Sequence, residues 1–182
     1  MNAIGPAMSP ALTVAAPAVR AVYPSPVGDL HLTYRAGALA RLDFDDHAPP
    51  GPATPPAGPD APVHDAVRRW LDVYFAGRIP PPESFPRMAM AGTPFQIDVW
   101  LALRDVPWGA TASYGDIARR IARPAAVRAV GAANGANPVS IIVPCHRVIG
   151  TNGSLTGYGG GLPRKTWLLN HERASTQPDL GL

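Results

Sequence analysis

At 182 residues, 46% of them apolar, the chain is long enough for one ordinary domain or two small ones sharing an interface, and it can bury a real core. No apolar run approaches the roughly 18 residues that a membrane-crossing helix needs, the start lacks the basic n-region of a secretory leader, and Cys145 is the only cysteine, which excludes an internal disulfide and a thiolate cluster for zinc; a reducing, cytoplasmic setting is expected. The net charge is only +3, yet no Asp or Glu falls between Asp116 and Glu172 while Arg119, Arg120, Arg123, Arg128, Arg147, Arg164 and Lys165 all do, a distribution that fits either a polyanionic partner such as nucleic acid or a solvated basic face.

Residues 1–18, rich in Pro and Ala, bury too little apolar surface to offset chain entropy and are expected to form a weakly ordered arm. From Tyr23 to Phe44 the sequence alternates, with Leu30, Leu32 and Tyr34 on one face, a turn at Ala36-Gly37, then Ala38, Ala40, Leu42 and Phe44 on one face, which predicts a hairpin or meander. His47 beside Asp43, Asp45 and Asp46 is read as an acidic strand end and not as a metal site; no metal is expected. The Pro/Gly-rich stretch 47–62 predicts a loop. Val63, Ala66, Val67, Trp70, Leu71, Tyr74 and Phe75 recur at helical spacing, with Gly77 placed to end the helix. The Pro-rich passage 80–86 then leads to a boundary between an N-terminal α/β domain, 19–88, and a C-terminal domain, 89–182.

Thr93-Pro94-Phe95-Gln96 combines an N-cap, a helix-starting proline and a capping-box glutamine, followed by a buried stripe of Phe95, Val99, Trp100 and Leu103. Ser113 and Asp116 repeat that spacing ahead of Ile117, Ala118 and Ile121. After Arg123-Pro124, a second short helix of small residues, 125–133, carries Arg128 and stops at Asn134-Gly135. Two short helices around a tight turn predict a helix-turn-helix, or simply a packed helical pair. Val139 to Val143 read as a strand or buried extended segment ending at Pro144-Cys145-His146-Arg147, where Cys145 is either a reactive thiol or a small buried apolar residue. A glycine-rich loop, 150–161, precedes a final helix from Pro163 with Trp167, Leu168 and His171 toward the core. At that position Glu172 reads by itself as a solvated helix residue.

Pro144-Cys145-His146-Arg147-Val148-Ile149 resembles the active-site signature of the O6-alkylguanine-DNA alkyltransferases, and the bacterial constitutive branch fits best. The resemblance extends through Gly92-Thr93-Pro94-Phe95-Gln96 with Val99-Trp100, Ser113-Tyr114-Gly115, Arg128-Ala129-Val130-Gly131 with Asn137-Pro138, Gly157-Tyr158, and Lys165 to Glu172. It implies a mixed α/β fold: a small ribonuclease H-like N-terminal sheet domain with a helix, then a mostly helical domain with the helix-turn-helix and the cysteine.

The implied activity is direct repair of DNA. An alkyl group passes once and irreversibly from O6 of guanine, with O4 of thymine left open, to Cys145, without a cofactor. A thiolate suits such an in-line displacement, and an ordinary thiol needs a base to form one. The resemblance supplies a water-linked relay through His146, oriented by Glu172. Tyr114 matches the residue that donates to the base at N3, and Arg128 the one that fills the space left by a flipped base. Ala125, Ala126, Ala129 and Ala132 would allow close approach to the minor groove. Asn137 would tie the recognition helix to the cysteine turn, the carbonyls of Cys145 and Val148 would receive the exocyclic amine, and Tyr158 and Gly159 would close over the base. Some relatives carry serine at Gly159, and Trp108 and Ala110 replace a commoner tyrosine and glutamate. Double-stranded DNA carrying O6-alkylguanine is the implied partner, with no obligate protein partner and no membrane. A lesion-binding relative without transfer is the alternative; those proteins replace the acceptor cysteine, which is present here.

Overall fold

The computed structural model describes residues 18–175, so all but the last residue of the expected arm lies outside the described residues. The chain divides into two units that meet at Ala91 and Gly92.

The first unit is a three-stranded antiparallel sheet of order β1 (Val19–Tyr23), β2 (Leu30–Arg35), β3 (Ala38–Phe44), with helix α1 (Asp60–Phe75) against it. Strand β1 lies a few residues ahead of the alternating stretch and pairs Tyr23 with Leu30 and Val19 with Tyr34. The β2–β3 turn places both Ala36 (φ 49°) and Gly37 (φ 72°) in the left-handed region, as a two-residue hairpin turn demands. Leu30, Leu32, Tyr34, Leu42 and Phe44 are buried as the alternation predicts. Ala40 departs from it. The register slips between Thr33 and Tyr34, so Thr33 faces Arg41 while Tyr34 faces Leu39. This bulge puts Leu39, fully buried, where simple alternation expects Ala40, which is half-buried.

Helix α1 starts a turn earlier than its apolar spacing indicates and buries Val67, Trp70, Leu71 and Tyr74. It ends as expected at Gly77 (φ 71°), whose N–H reaches the Tyr74 carbonyl while that of Arg78 reaches Val73. The carboxylates near His47 are drawn in different directions, Asp43 to Arg41, Asp45 to His31 and Asp46 to His47.

The second unit holds helices α2 (Pro94–Arg104), α3 (Tyr114–Arg120), α4 (Val127–Gly135) and α5 (Leu162–Ala174), with a two-stranded parallel pair β4 (Ala112–Ser113) and β5 (Val148–Ile149). Both capping boxes form. Gln96 N–H donates to Thr93 Oγ1 at 3.3 Å and Thr93 N–H to Gln96 Oε1 at 2.8 Å; Asp116 N–H donates to Ser113 Oγ at 3.1 Å and Ser113 N–H to Asp116 Oδ2 at 2.7 Å. Val99, Trp100 and Leu103 are buried, whereas Phe95 is half-buried under the Arg123 guanidinium. Trp100 Nε1 donates to the Ala133 carbonyl at 2.8 Å and locks α2 onto α4.

Three expectations for this unit need correction. Helix α4 begins at Val127, so Ala125 and Ala126 sit in the turn ahead of it; Pro124 lacks the N–H that a helix interior needs. Val139 to Val143 form no strand: Val143 N–H bonds back to the Val139 carbonyl, and Ile141, fully buried, takes φ 70° in a tight wound turn. In α5 the buried stripe is Lys165, Leu168, Leu169 and Glu172, one position round from the expected face. Trp167 and His171 are half-buried, their rings stacked 4.8 Å apart.

Candidate active site

Cys145 opens a single 3-10 turn, Cys145–Arg147, between the wound segment and β5. Cys145 is 4% exposed, and Asn137 Nδ2 donates to its sulfur at 3.0 Å and to the Val143 carbonyl at 2.8 Å. Asn137 Oδ1 in turn accepts the Val139 N–H at 3.0 Å, so one side chain braces the turn and the sulfur together. Burial pushes the Cys145 thiol up, and the Asn137 bond and the Lys165 charge only partly offset it. At rest the sulfur keeps its proton, and a base must take it.

His146 and Glu172, adjacent to nothing acidic in sequence, are both fully buried and meet at 2.7 Å between Nε2 and Oε1. Burial alone would raise the Glu172 carboxyl, but the hydrogen bonds and charges of His146 and Arg147 bring it down to about 2. It is therefore an anion and accepts only, so Nε2 of His146 carries the proton. Burial lowers His146 against the pull of Glu172, which leaves the imidazole neutral with Nδ1 as its acceptor. That Nδ1 is buried with no hydrogen-bond partner among the described residues. Glu172 thus does not lie in solvent, as its position alone indicated.

Arg147, which sequence reading grouped with a basic surface, is 8% exposed and spends its guanidinium on Glu172: Nε to Oε2 at 2.8 Å, Nη2 to Oε1 at 3.0 Å, and Nη1 to the Val106 carbonyl at 2.7 Å. The Gly109 N–H donates to Oε2 at 3.2 Å and Trp108 Nε1 to the Glu172 carbonyl at 2.9 Å, so the departure at Trp108 keeps a donor on the end of α5. Lys165, also fully buried, donates to the carbonyls of Val148 at 2.6 Å and Thr156 at 2.9 Å. Both cations leave the anion-binding set. The signal for them was their place beside the cysteine and on the stripe that ends at Glu172.

Tyr114, half-buried at the start of α3, donates to the Thr156 carbonyl at 3.2 Å and lies against Gly131 of α4. Tyr158 is half-buried with its ring 6.5 Å from His146, and a Cβ on exposed Gly159 would stand 3.9 Å from the Gly135 carbonyl. A small side chain fits there and would narrow the gap between loop and α4. Val148 is buried. On the outer face of α4, Arg128, Ala129 and Ala132 are exposed, and Arg128 has no ion pair or hydrogen bond to the described residues. Ala125 is exposed and Ala126 half-buried just before it. No group of three or more His, Cys, Asp or Glu among the described residues is arranged to hold a metal, and no helix among them is long and apolar enough to cross a membrane.

A buried thiol held by Asn137, next in chain to an imidazole that a carboxylate orients, defines a cysteine-centred site in the second unit. A family model for the 6-O-methylguanine DNA methyltransferase DNA-binding domain matches residues 94–174. The methylated-DNA–protein-cysteine methyltransferase of Salmonella typhimurium is 60% identical over 99 residues, a match spanning 54% of this chain and only 57% of that protein. The protein of the same name from Mycobacterium bovis is 44% identical over 158 residues, 87% of this chain and 94% of that one. Mycobacterium tuberculosis O6-methylguanine methyltransferase superposes with a TM-score of 0.76 at 39% identity, over 90% of this chain and 97% of that one. Mycobacterium tuberculosis OGT in complex with DNA gives 0.71 at 41%, over 87% and 95%. The chain belongs to the methylated-DNA–protein-cysteine methyltransferase family.

Proposed function

We propose that this protein repairs alkylated DNA directly, taking an alkyl group from O6 of guanine in a duplex onto Sγ of Cys145, once per molecule, in the cytoplasm. The observation that carries this reading is the buried set of Cys145, His146 and Glu172, in which a protonated thiol sits next in chain to a neutral imidazole whose Nδ1 has no partner among the described residues. The Cys145 proton passes to that nitrogen, through a water as the family resemblance implies, and Glu172 stabilises the imidazolium. The thiolate then attacks the alkyl carbon in line, the C–O6 bond breaks, and its electron pair stays on the base.

Tyr114 offers its hydroxyl to the departing guanine after giving up Thr156, and Arg128 occupies the stack that the flipped base has left. Ala129 and Ala132 keep the outer face of α4 shallow for the groove, and Ala125 and Ala126 do the same from the preceding turn. Tyr158 and Gly159 close the pocket, and Asn137 holds the sulfur. The thioether product is stable, so the protein is consumed.

Intact-protein and peptide mass spectrometry after mixing with a duplex containing one O6-methylguanine tests this. Gain of one methylene unit on Cys145, with guanine restored, is expected, and Cys145→Ala should abolish transfer while keeping duplex binding. Binding without a mass change would instead make the protein a lesion-recognition factor.

A further inference from the structure

Between α2 and β4 the chain makes a tight turn in which the Ala110 N–H donates to the Pro107 carbonyl at 3.2 Å. Gly109 sits at φ 71° and Trp108 at a negative φ, which together define a type II turn. The peptide joining these two residues is what separates turn types. Passing from type II to type I changes its flanking ψ and φ by about 150° and 170°, which carries its N–H to the opposite side. Here the Gly109 N–H points at Glu172 Oε2 from 3.2 Å. In a type I turn the Trp108 carbonyl oxygen would face the carboxylate instead.

The same four residues grip the surroundings of that carboxylate. Glu172 lies in the last turn of α5, where a main-chain carbonyl finds no helical N–H, and Trp108 Nε1 supplies a donor at 2.9 Å. The Val106 carbonyl takes Arg147 Nη1 at 2.7 Å, and the Trp108 ring lies 5.9 Å from the Arg147 guanidinium, so the cation paired with Glu172 is held as well. Oε1 is left turned to His146 Nε2 at 2.7 Å.

We propose that the 106–109 turn sets the relay that activates Cys145, with Gly109 as a positioning residue. Its type II peptide fixes the Glu172 carboxylate so that Oε1 holds the His146 Nε2 proton and leaves Nδ1 to receive that of the thiol. Gly109 and Trp108 act through Glu172 and not on the alkyl group. This rests on the alkyl-transfer reading above.

The test joins two measurements on the full chain. One is single-turnover methyl transfer from a duplex containing one O6-methylguanine, with rates expressed per folded protein; the other is the downfield proton NMR resonance of His146 Nε2–H. Gly109→Ala, which favours negative φ and so type I, should slow transfer about ten-fold or more, part of the roughly 10²–10⁴ that a positioned base supplies, and should move that resonance. Gly109→Asn, which accepts positive φ, should keep the resonance and should hold the rate within about two-fold. Where alanine does not fold, Trp108→Phe, which keeps a ring by Arg147 and removes the N–H to the Glu172 carbonyl, should show both changes to a lesser degree. A turn that only stabilised the fold would lower the folded fraction and leave both readouts untouched. A folded alanine variant, or a phenylalanine variant in its place, in which either the rate or the resonance is unchanged overturns the proposal, as does an equal loss with alanine and asparagine. Absence of transfer in the unsubstituted protein overturns the repair function itself, and the resonance then still decides whether the turn positions the pair.

Discussion

Replacing Glu172 with glutamine removes one negative charge from a site where every neighbour was chosen to face it. Four donors converge on the carboxylate: His146 Nε2 and Arg147 Nη2 on Oε1, Arg147 Nε and the Gly109 N–H on Oε2. An amide offers one oxygen, and its NH2 would confront N–H groups on the other side. Arg147 would keep its charge in a buried site without a counter-ion, a change that costs about 3–5 kcal/mol.

A separate route gives a similar figure. The Glu172 carboxyl lies at about 2 in the folded protein, against an ordinary value of about 4.3, and a difference of roughly two units corresponds to about 3 kcal/mol. Because the folded value is depressed, this stabilisation is complete above the unfolded value and is lost as pH falls from about 4 toward 2. Urea unfolding followed by tryptophan fluorescence should therefore show the variant about 3 kcal/mol less stable at pH 7, with the gap closing below pH 4. Alkyl transfer should slow as well, since the imidazolium formed on His146 would then lack the negative charge that stabilises it. A gap under about 1 kcal/mol at pH 7, or one that does not shrink in acid, would refute the assignment of Glu172 as a buried, ionised anchor.

Other substitutions test other links. Arg128→Ala should weaken repair in duplex far more than reaction with free O6-benzylguanine, because its side chain is exposed on α4; equal losses in the two assays would argue against a role in base extrusion. Asn137→Ala removes donors from Cys145 Sγ and the Val143 carbonyl and an acceptor from Val139; it should cost about 2–3 kcal/mol in chemical denaturation and raise the pH at which iodoacetamide alkylates Cys145. Ala122→Gly should stabilise the second unit by about 1 kcal/mol in the same denaturation assay, because Ala122 ends α3 in the left-handed region at φ 57°, where its Cβ is strained.

Local chemistry with a fixed spacing was legible in the sequence. Both capping boxes, the hairpin turn and the Gly77 helix end are each decided by a few adjacent residues, and each forms where expected. What depends on partners far along the chain was harder to read. The α5 face was displaced because its buried stripe begins and ends with charges, Lys165 and Glu172, whose partners at Val148, Thr156, His146 and Arg147 cannot be seen from helical periodicity. The wound segment before Cys145 looks like a strand because a short run with four apolar residues in five is compatible with either; its fold depends on Asn137 and on an isoleucine held at positive φ. Family resemblance named Cys145, His146 and Glu172 together. The residues themselves, read by position, left Glu172 in solvent. The Asn134 bond to the Cys145 carbonyl carried no signal at all, since an asparagine before a glycine reads as a helix stop.

Helix α4 carries exposed Arg128 near one end and buried Asn134 near the other. Helix geometry sets their axial separation at roughly 9 Å and adds about 100° of rotation for every residue. The helix is thus a ruler cut to one length. Substitutions along its outer face leave the gauge intact, but inserting or deleting a single residue would turn Asn134 away from Cys145 or Arg128 away from the surface. Length variation should be tolerated in the glycine-rich passage around Gly153 and not between Val127 and Gly135.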